Sequence, residues 1–172
     1  MYAKFDSEKA VEAILYIAKR VKTPTFHTIS KVLYFADQEH VLKYGRFITG
    51  DEYVAMKHGP VPSATYDILK YVRGDQAMCH GEHAKSLLSI YRKYHISIQR
   101  DANLDEFSDS DLECLDKSIA DNGNLSFEQL TTKSHDEIYE AAGKDEFIPM
   151  EAFIAHAKNK ESLIEHLNNP AY

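Results

Sequence analysis

Tryptophan is absent from the 172 residues, and cysteine occurs twice, at Cys79 and Cys114. Two thiols cannot build a disulfide framework, so a packed core must hold the chain, and a reducing compartment is the expectation. Basic runs are equally scarce. No more than two Lys or Arg stand together, and the formal net charge is −7. A surface that tracks phosphates needs a Lys/Arg footprint, so direct nucleic-acid binding is not expected, whereas a basic protein partner or a small molecule fits the charge. Long apolar runs are missing as well. The first segment, MYAKFDSEKAVEAILYIAKRVK, carries a charge every few positions, which suits neither a signal peptide nor a membrane span. A soluble, cytoplasmic protein with no membrane partner is the expectation.

Core material, by contrast, is plentiful: 44% of residues are apolar, enough to exclude disorder, and eleven are tyrosines whose polar tips suit half-buried faces. A chain of this length can bury roughly 70% of its unfolded surface as one domain, here taken as residues 1–172. Asp6 or Ser7 can cap a helix carrying Ala10, Val11, Ile14, Leu15, Ala18 and Val21 on one face. After Pro24, Thr25 can cap a second, with Ile29, Val32, Leu33, Ala36, His40, Val41 and Tyr44 in a stripe that Gly45 closes. The period then changes. Tyr53, Ala55 and Lys57 alternate with Val54, Met56 and His58 as a short strand. Pro60 and Pro62 donate no ladder hydrogen bonds, which predicts that GPVP is a stiff corner from strand to helix, with Ser63 capping that helix and Gly74 ending it.

Residues 75–90 show no clear period. KYHISIQR alternates and is expected to pair with the earlier strand, because a lone strand leaves its backbone groups unsatisfied. SDSDLECLDKSIADNG reads as a capped helix, and SFEQ and SHDE both match the capping-box pattern, starting helices at Ser126 and Ser134. Pro149 marks the start of a C-terminal helical segment. The expected class is mainly α with a small antiparallel β-sheet in one domain.

Chemistry-bearing patterns are weak. Cys79-His80-Gly81-Glu82-His83 is the densest ligand group, yet a structural zinc site uses two spaced pairs and no second pair follows, so no metal is expected. Asp37 and His40 share a helix face as half of an acid–base pair, against the plainer reading of a solvent-facing Asp37 and a partly buried His40. P-loop, G-x-S-x-G, HExxH and kinase patterns are absent, and neither an enzyme nor a cofactor is expected. A less favoured reading gathers Asp37, His40, His58 and His135 around a pocket. Tyr34, Phe35, Tyr44, Phe47, Tyr53, Tyr66 and Tyr71 crowd one region beside Asp51, Glu52 and Asp67, either as core or as an interface for a basic partner.

The run ISKVLYFADQEHVLKYGRFITGDEYVAMKHGPVPSATYDILK resembles the Panacea domain, the family of SocA-like antitoxins that also includes GepA-type proteins. The resemblance rests on Lys31, Leu33 to Asp37, His40, Tyr44-Gly45-Arg46, Ile48-Thr49-Gly50-Asp51, Tyr53, His58-Gly59-Pro60-Val61 and Tyr66. Leu130, Ser134-His135 and Ile148 follow the later part of the pattern, and Tyr139 stands near the place where the family often has tryptophan. It implies an antitoxin encoded beside its toxin and neutralising it by direct contact. Some members add a DNA-binding domain, for which this length leaves no room, and one delivers its toxin to a protease. The partner expected is therefore a cognate toxin from a neighbouring gene, basic by the charge argument, with a protease as a second candidate. The alternative is a phage or prophage accessory protein, or a protease adaptor, that binds a host factor. Candidate contact residues are Tyr34, Asp37, His40, Tyr44, Arg46, Asp51, Tyr53, His58 and Tyr66. Gly45, Gly50, Gly59, Pro60, Val61 and His135 form the structural part of the motif.

Overall fold

Local caps start the helices that open at Ser7, Phe26, Asp109, Phe127 and Glu137. The computed structural model describes residues 4–75, 80–155 and 157–169. Asp6 accepts the Lys9 amide and opens α1 (Ser7–Arg20), while Thr25 accepts the Thr28 amide and opens α2 (Phe26–Tyr44). Gly45 closes α2 in the left-handed region, at φ 75°. Next come β1 (Tyr53–Met56), β2 (Gly59–Pro62), α3 (Ser63–Arg73), β3 (Leu88–Tyr91) and β4 (His95–Ile98). The chain continues with α4 (Asp109–Asn122), α5 (Phe127–Ser134), α6 (Glu137–Glu140), α7 (Met150–Ile154) and α8 (Lys160–Asn168). The class is the expected one, helical with two small antiparallel sheets among the described residues.

Four expectations are corrected. GPVP is a strand, not a corner: it pairs antiparallel with β1, Tyr53 opposite Pro62 and Ala55 opposite Pro60. Alternate residues of an antiparallel pair point their N–H groups away from the partner strand. Ala55 shows which ones do here, since its amide leaves β2 for Glu146 O at 2.9 Å. Pro60 and Pro62 occupy the matching outward positions, so their missing donors cost the ladder nothing. KYHISIQR pairs with β3 rather than with β1, whose other edge is covered by residues 145–148 through Ala55, Asp145 and the Ile148 amide. Ser63 is already inside α3, and its N-terminus is capped from a distance by Asp51, which accepts from Ala64, the Thr65 amide and the Thr65 hydroxyl. Ser134 ends α5, and Asp136 caps α6 by accepting the Tyr139 amide. The box at Ser108 and that at Ser126 stand as read.

Helix α2 lies at the centre, touching α1, α3, α4, α5, α7 and β2. Its Ile29, Val32, Leu33 and Ala36 join α1, α3 and α4 in one apolar cluster. Tyr34 and Val41 join a second with Phe47, Tyr53, Ala55, Ile148 and Phe153. In that cluster Phe47 and Phe153 meet at 4.8 Å between centroids and Tyr34 and Tyr53 at 5.4 Å, the edge-on contacts that aromatic quadrupoles favour.

Gly59 is where this packing leaves least room. Its φ is 112°, and a Cβ there would stand 2.5 Å from Ser134 Oγ and 2.8 Å from Lys31 Cε. Gly59→Ala is therefore expected to lose about 3 kcal/mol or more, a fall of roughly 6–12 °C in Tm. Thermal and urea unfolding of the variant check this, and a Tm equal to the parent's would contradict the packing described.

Candidate functional site

The motif's polar side chains fall on α2 at three-residue steps: Lys31, Tyr34, Asp37 and His40. Each step of three falls about 60° short of a full turn, so the row winds around the helix instead of staying on one face. The four residues consequently meet four different parts of the chain, and all four are buried.

Lys31 donates to the Pro60 carbonyl at 2.9 Å, the outward-facing oxygen of β2. Tyr34 donates to Asp136 at 2.6 Å, joined there by Gln38 at 2.9 Å, so α2 holds the residue that caps α6. Asp37 accepts the Ile48 amide at 2.7 Å and the Tyr53 hydroxyl at 2.6 Å. His40 donates from Nδ1 to the Arg46 carbonyl at 2.7 Å, and its Nε2 lies 2.9 Å from Ser110 Oγ. Burial holds the His40 pKa below the ordinary imidazole value, so the ring is neutral at pH 7 with Nε2 accepting from Ser110. Asp37 and His40 therefore form no acid–base pair. Nor is Asp37 solvent-facing, for the same row geometry turns it into the core.

Asp111 of α4 anchors the lower end of this network. Lys9 reaches it at 2.5 Å and Arg46 at 3.0 Å. Burial alone would raise its pKa, but Lys9, the Ser108 amide and Arg46 outweigh that and hold it below the usual carboxylate range. Asp111 and Asp136 are functional members of the network that sequence reading passes over. The signal was present, since each is an acid at a capping position, but its long-range partners are not local.

The candidate contact residues separate accordingly. Tyr34, Asp37, His40, Asp51 and Tyr53 are buried, whereas Tyr44, Arg46, His58 and Tyr66 reach the surface. Tyr44 donates to Glu113, and Arg46 is held by Asp111 and the Phe47 carbonyl. The set Asp37, His40, His58 and His135 is not gathered. His58 stands edge-on to Phe127, and His135 stacks on Tyr139 at 4.3 Å. Tyr139 also donates to the Met56 carbonyl at 2.7 Å, which ties α6 to β1. Cys79 lies outside the described residues, and among those described no three His, Cys, Asp or Glu side chains converge as metal ligands. No helix among them is long and apolar enough to cross a membrane.

An open groove of about 710 Å³ lies over the aromatic cluster. Its walls include Phe5, Phe47, Phe147, Met150, Glu52 and Asp67. Phe147 is 58% exposed, the most of any large apolar side chain described. Glu52 is exposed and makes no ion pair among the described residues, while Arg46, the groove's cation, is occupied by Asp111. The groove therefore offers an apolar ring beside uncompensated negative charge.

Residues 29–139 match the family model described as antitoxin SocA-like, Panacea domain. No curated protein and no solved structure matches the chain. The matched span contains the whole α2 row and every partner named for it, from Arg46 to Asp136.

Asp37 makes the network sensitive to pH. Burial pushes its carboxyl up to about 7 from an ordinary value of 3.8, against the pull of the Ile48 amide and the Tyr53 hydroxyl. The folded chain keeps a proton that the unfolded chain releases near pH 4, so this group's stabilisation is full below that pH and is lost as pH rises through about 7. Between about pH 5 and 6 it should contribute a decline approaching 1.4 kcal/mol per unit, the full effect of one proton, and about half that at pH 7. Asp37→Asn, which preserves an acceptor for Ile48, is expected to lack that component. Urea unfolding at several pH values tests it, and parallel profiles for parent and variant would rule it out.

Proposed function

This chain belongs to the SocA-like antitoxin family of the Panacea domain, and from that premise we propose that it is the antitoxin of a toxin–antitoxin pair, neutralising a cognate toxin by direct protein–protein binding. The observation that carries the reading is the use made of the motif. Lys31, Tyr34, Asp37 and His40 all hydrogen-bond within the chain and hold a scaffold, and the one carboxylate beside His40, Asp111 at 3.3 Å from Nε2, is engaged by Lys9 and Arg46. A binding protein needs such a scaffold, whereas an enzyme needs convergent reactive groups.

The groove over the aromatic cluster is the surface that fits a toxin best. Its exposed Phe147 supplies an apolar anchor of the kind that dominates binding energy, and Glu52 and the net charge of −7 favour a basic segment. Phe5, Phe147 and Met150 lie outside the span matched to the family, while Glu52 and Asp67 lie within it. This division suits a common scaffold carrying a partner-specific wall.

Co-expression with the products of the neighbouring genes, scored for growth and co-purification, tests the function. Rescue of growth together with a stable complex is expected, and harmless neighbours would end the antitoxin reading. In the complex, Phe147→Ala combined with Glu52→Lys is expected to weaken binding by about tenfold to a hundredfold, mainly through faster dissociation, with Tm unchanged. Parental affinity in that variant would place the toxin on another face.

A further inference from the structure

A second cavity, of about 470 Å³, opens between the first turns of α2, the β1–β2 turn, the start of β4 and Phe127 at the head of α5. No Asp or Glu lines it, although the chain has 27 of them. Lys31, Lys57, His27, His58 and His95 do. The Lys31 side chain is 1% exposed, and its ammonium makes one hydrogen bond, to the Pro60 carbonyl, with no ion pair. An ammonium has three donors, and burying it without a counter-charge is costly. His95 Nδ1 is also buried there without a hydrogen-bond partner. Two aromatic walls face the cavity. Phe26 stands edge-on to Tyr66 at 5.8 Å and to Tyr94 at 5.6 Å, while Phe127 stacks on His27 at 4.0 Å.

These features agree on one kind of occupant. A buried cation without a carboxylate calls for an anion, and an unpartnered ring nitrogen on another residue of the lining offers a further polar contact. Flat rings on both sides suit a planar apolar body, and the volume lies within the range of small-molecule sites. The histidines do not converge as metal ligands. We propose that this cavity binds a small molecule carrying one oxyanion, a carboxylate or a phosphate, on a planar aromatic body, with Lys31 as the ion-pair partner and His95 Nδ1 as a hydrogen-bonding partner. The site is separate from the groove assigned to the toxin, and its occupancy does not depend on that assignment.

Binding should also take up a proton. Burial pushes the Lys31 amine down to about 7, and an anion beside it favours the charged form. The other titratable or charged groups lining the cavity are His27 on α2, Lys57 and His58 on the β1–β2 turn, Tyr66 on α3, Tyr94 just before β4, and His95 on β4. His27 is held near 4 by burial and by Lys31, and so stays neutral above pH 6.

The test uses the isolated chain and three probes: indole-3-acetate, phenyl phosphate and the neutral indole-3-acetamide, followed by NMR shift titration and calorimetry. At least one acid is expected to bind with Kd below about 1 mM and about tenfold or more tighter than the amide, with shifts centred on His27, Tyr66 and Tyr94. Preference for the carboxylate or for the phosphate identifies which anion the site takes. Affinity should fall about tenfold per unit as pH rises above 7. Lys31→Met is expected to abolish the acid's advantage over the amide, with its folding checked by circular dichroism and Tm because the Pro60 carbonyl loses its donor. Failure of both acids to bind, equal binding of acid and amide, or unchanged acid binding in Lys31→Met would each overturn the proposal. Should Lys31→Met not fold, the amide comparison and the pH series on the parent decide it alone.

Discussion

Helix α2 lies at the centre of the fold, and the polar side chains it carries at four successive three-residue steps, Lys31, Tyr34, Asp37 and His40, are shut off from water. Every such group must find a partner or exact a desolvation cost. Because the three-residue row winds around the helix, the partners lie in β2, α6, the segment from Arg46 to Tyr53 and the head of α4. Four peripheral parts of the fold are thus positioned by hydrogen bonds to one element. The aromatic cluster, the capping of α3 by Asp51 and the groove beside Phe147 all presuppose that arrangement.

That economy separates shape from recognition. The residues most prominent in the sequence motif lie inside, and what reaches solvent around them is a mixture of aromatic rings and acids. Lys31 is the exception within the row. Asp37 has two donors and His40 two hydrogen-bond partners, but the Lys31 ammonium has a single carbonyl, and the residue lines an open cavity. A group whose needs are half met inside a folded chain is where ligand chemistry is to be sought.

Much of the helical skeleton is legible in the sequence because a cap is a local event. Asp6, Thr25, Ser108 and Ser126 each accept an amide three residues on, a relation visible in the letters themselves. Strand pairing is not local. The β4 pattern fits β1 as well as β3, and nothing nearby reveals that residues 145–148 already occupy the free edge of β1. The prolines of β2 mislead for a similar reason: a missing N–H matters or not according to the side it would have faced. Asp37 and His40 share a face by spacing, yet their partners sit eleven and six residues away on a returning segment, so the apparent pair dissolves. Buried Asp111 and half-buried Asp136 look like ordinary capping acids until the tertiary contacts appear.

The same long reach governs how the chain is made. Tyr34 and Asp136 are separated by 102 residues, and His40 and Ser110 by 70. At roughly 5–20 residues per second, a ribosome needs about 5 to 20 s between placing Tyr34 and supplying its acceptor. During that interval α2 can be helical but cannot be closed in, and its tyrosine and aspartate remain solvated. The domain therefore completes itself after most of the polypeptide has left the exit tunnel. For a member of an antitoxin family, order and pace of synthesis then weigh alongside affinity.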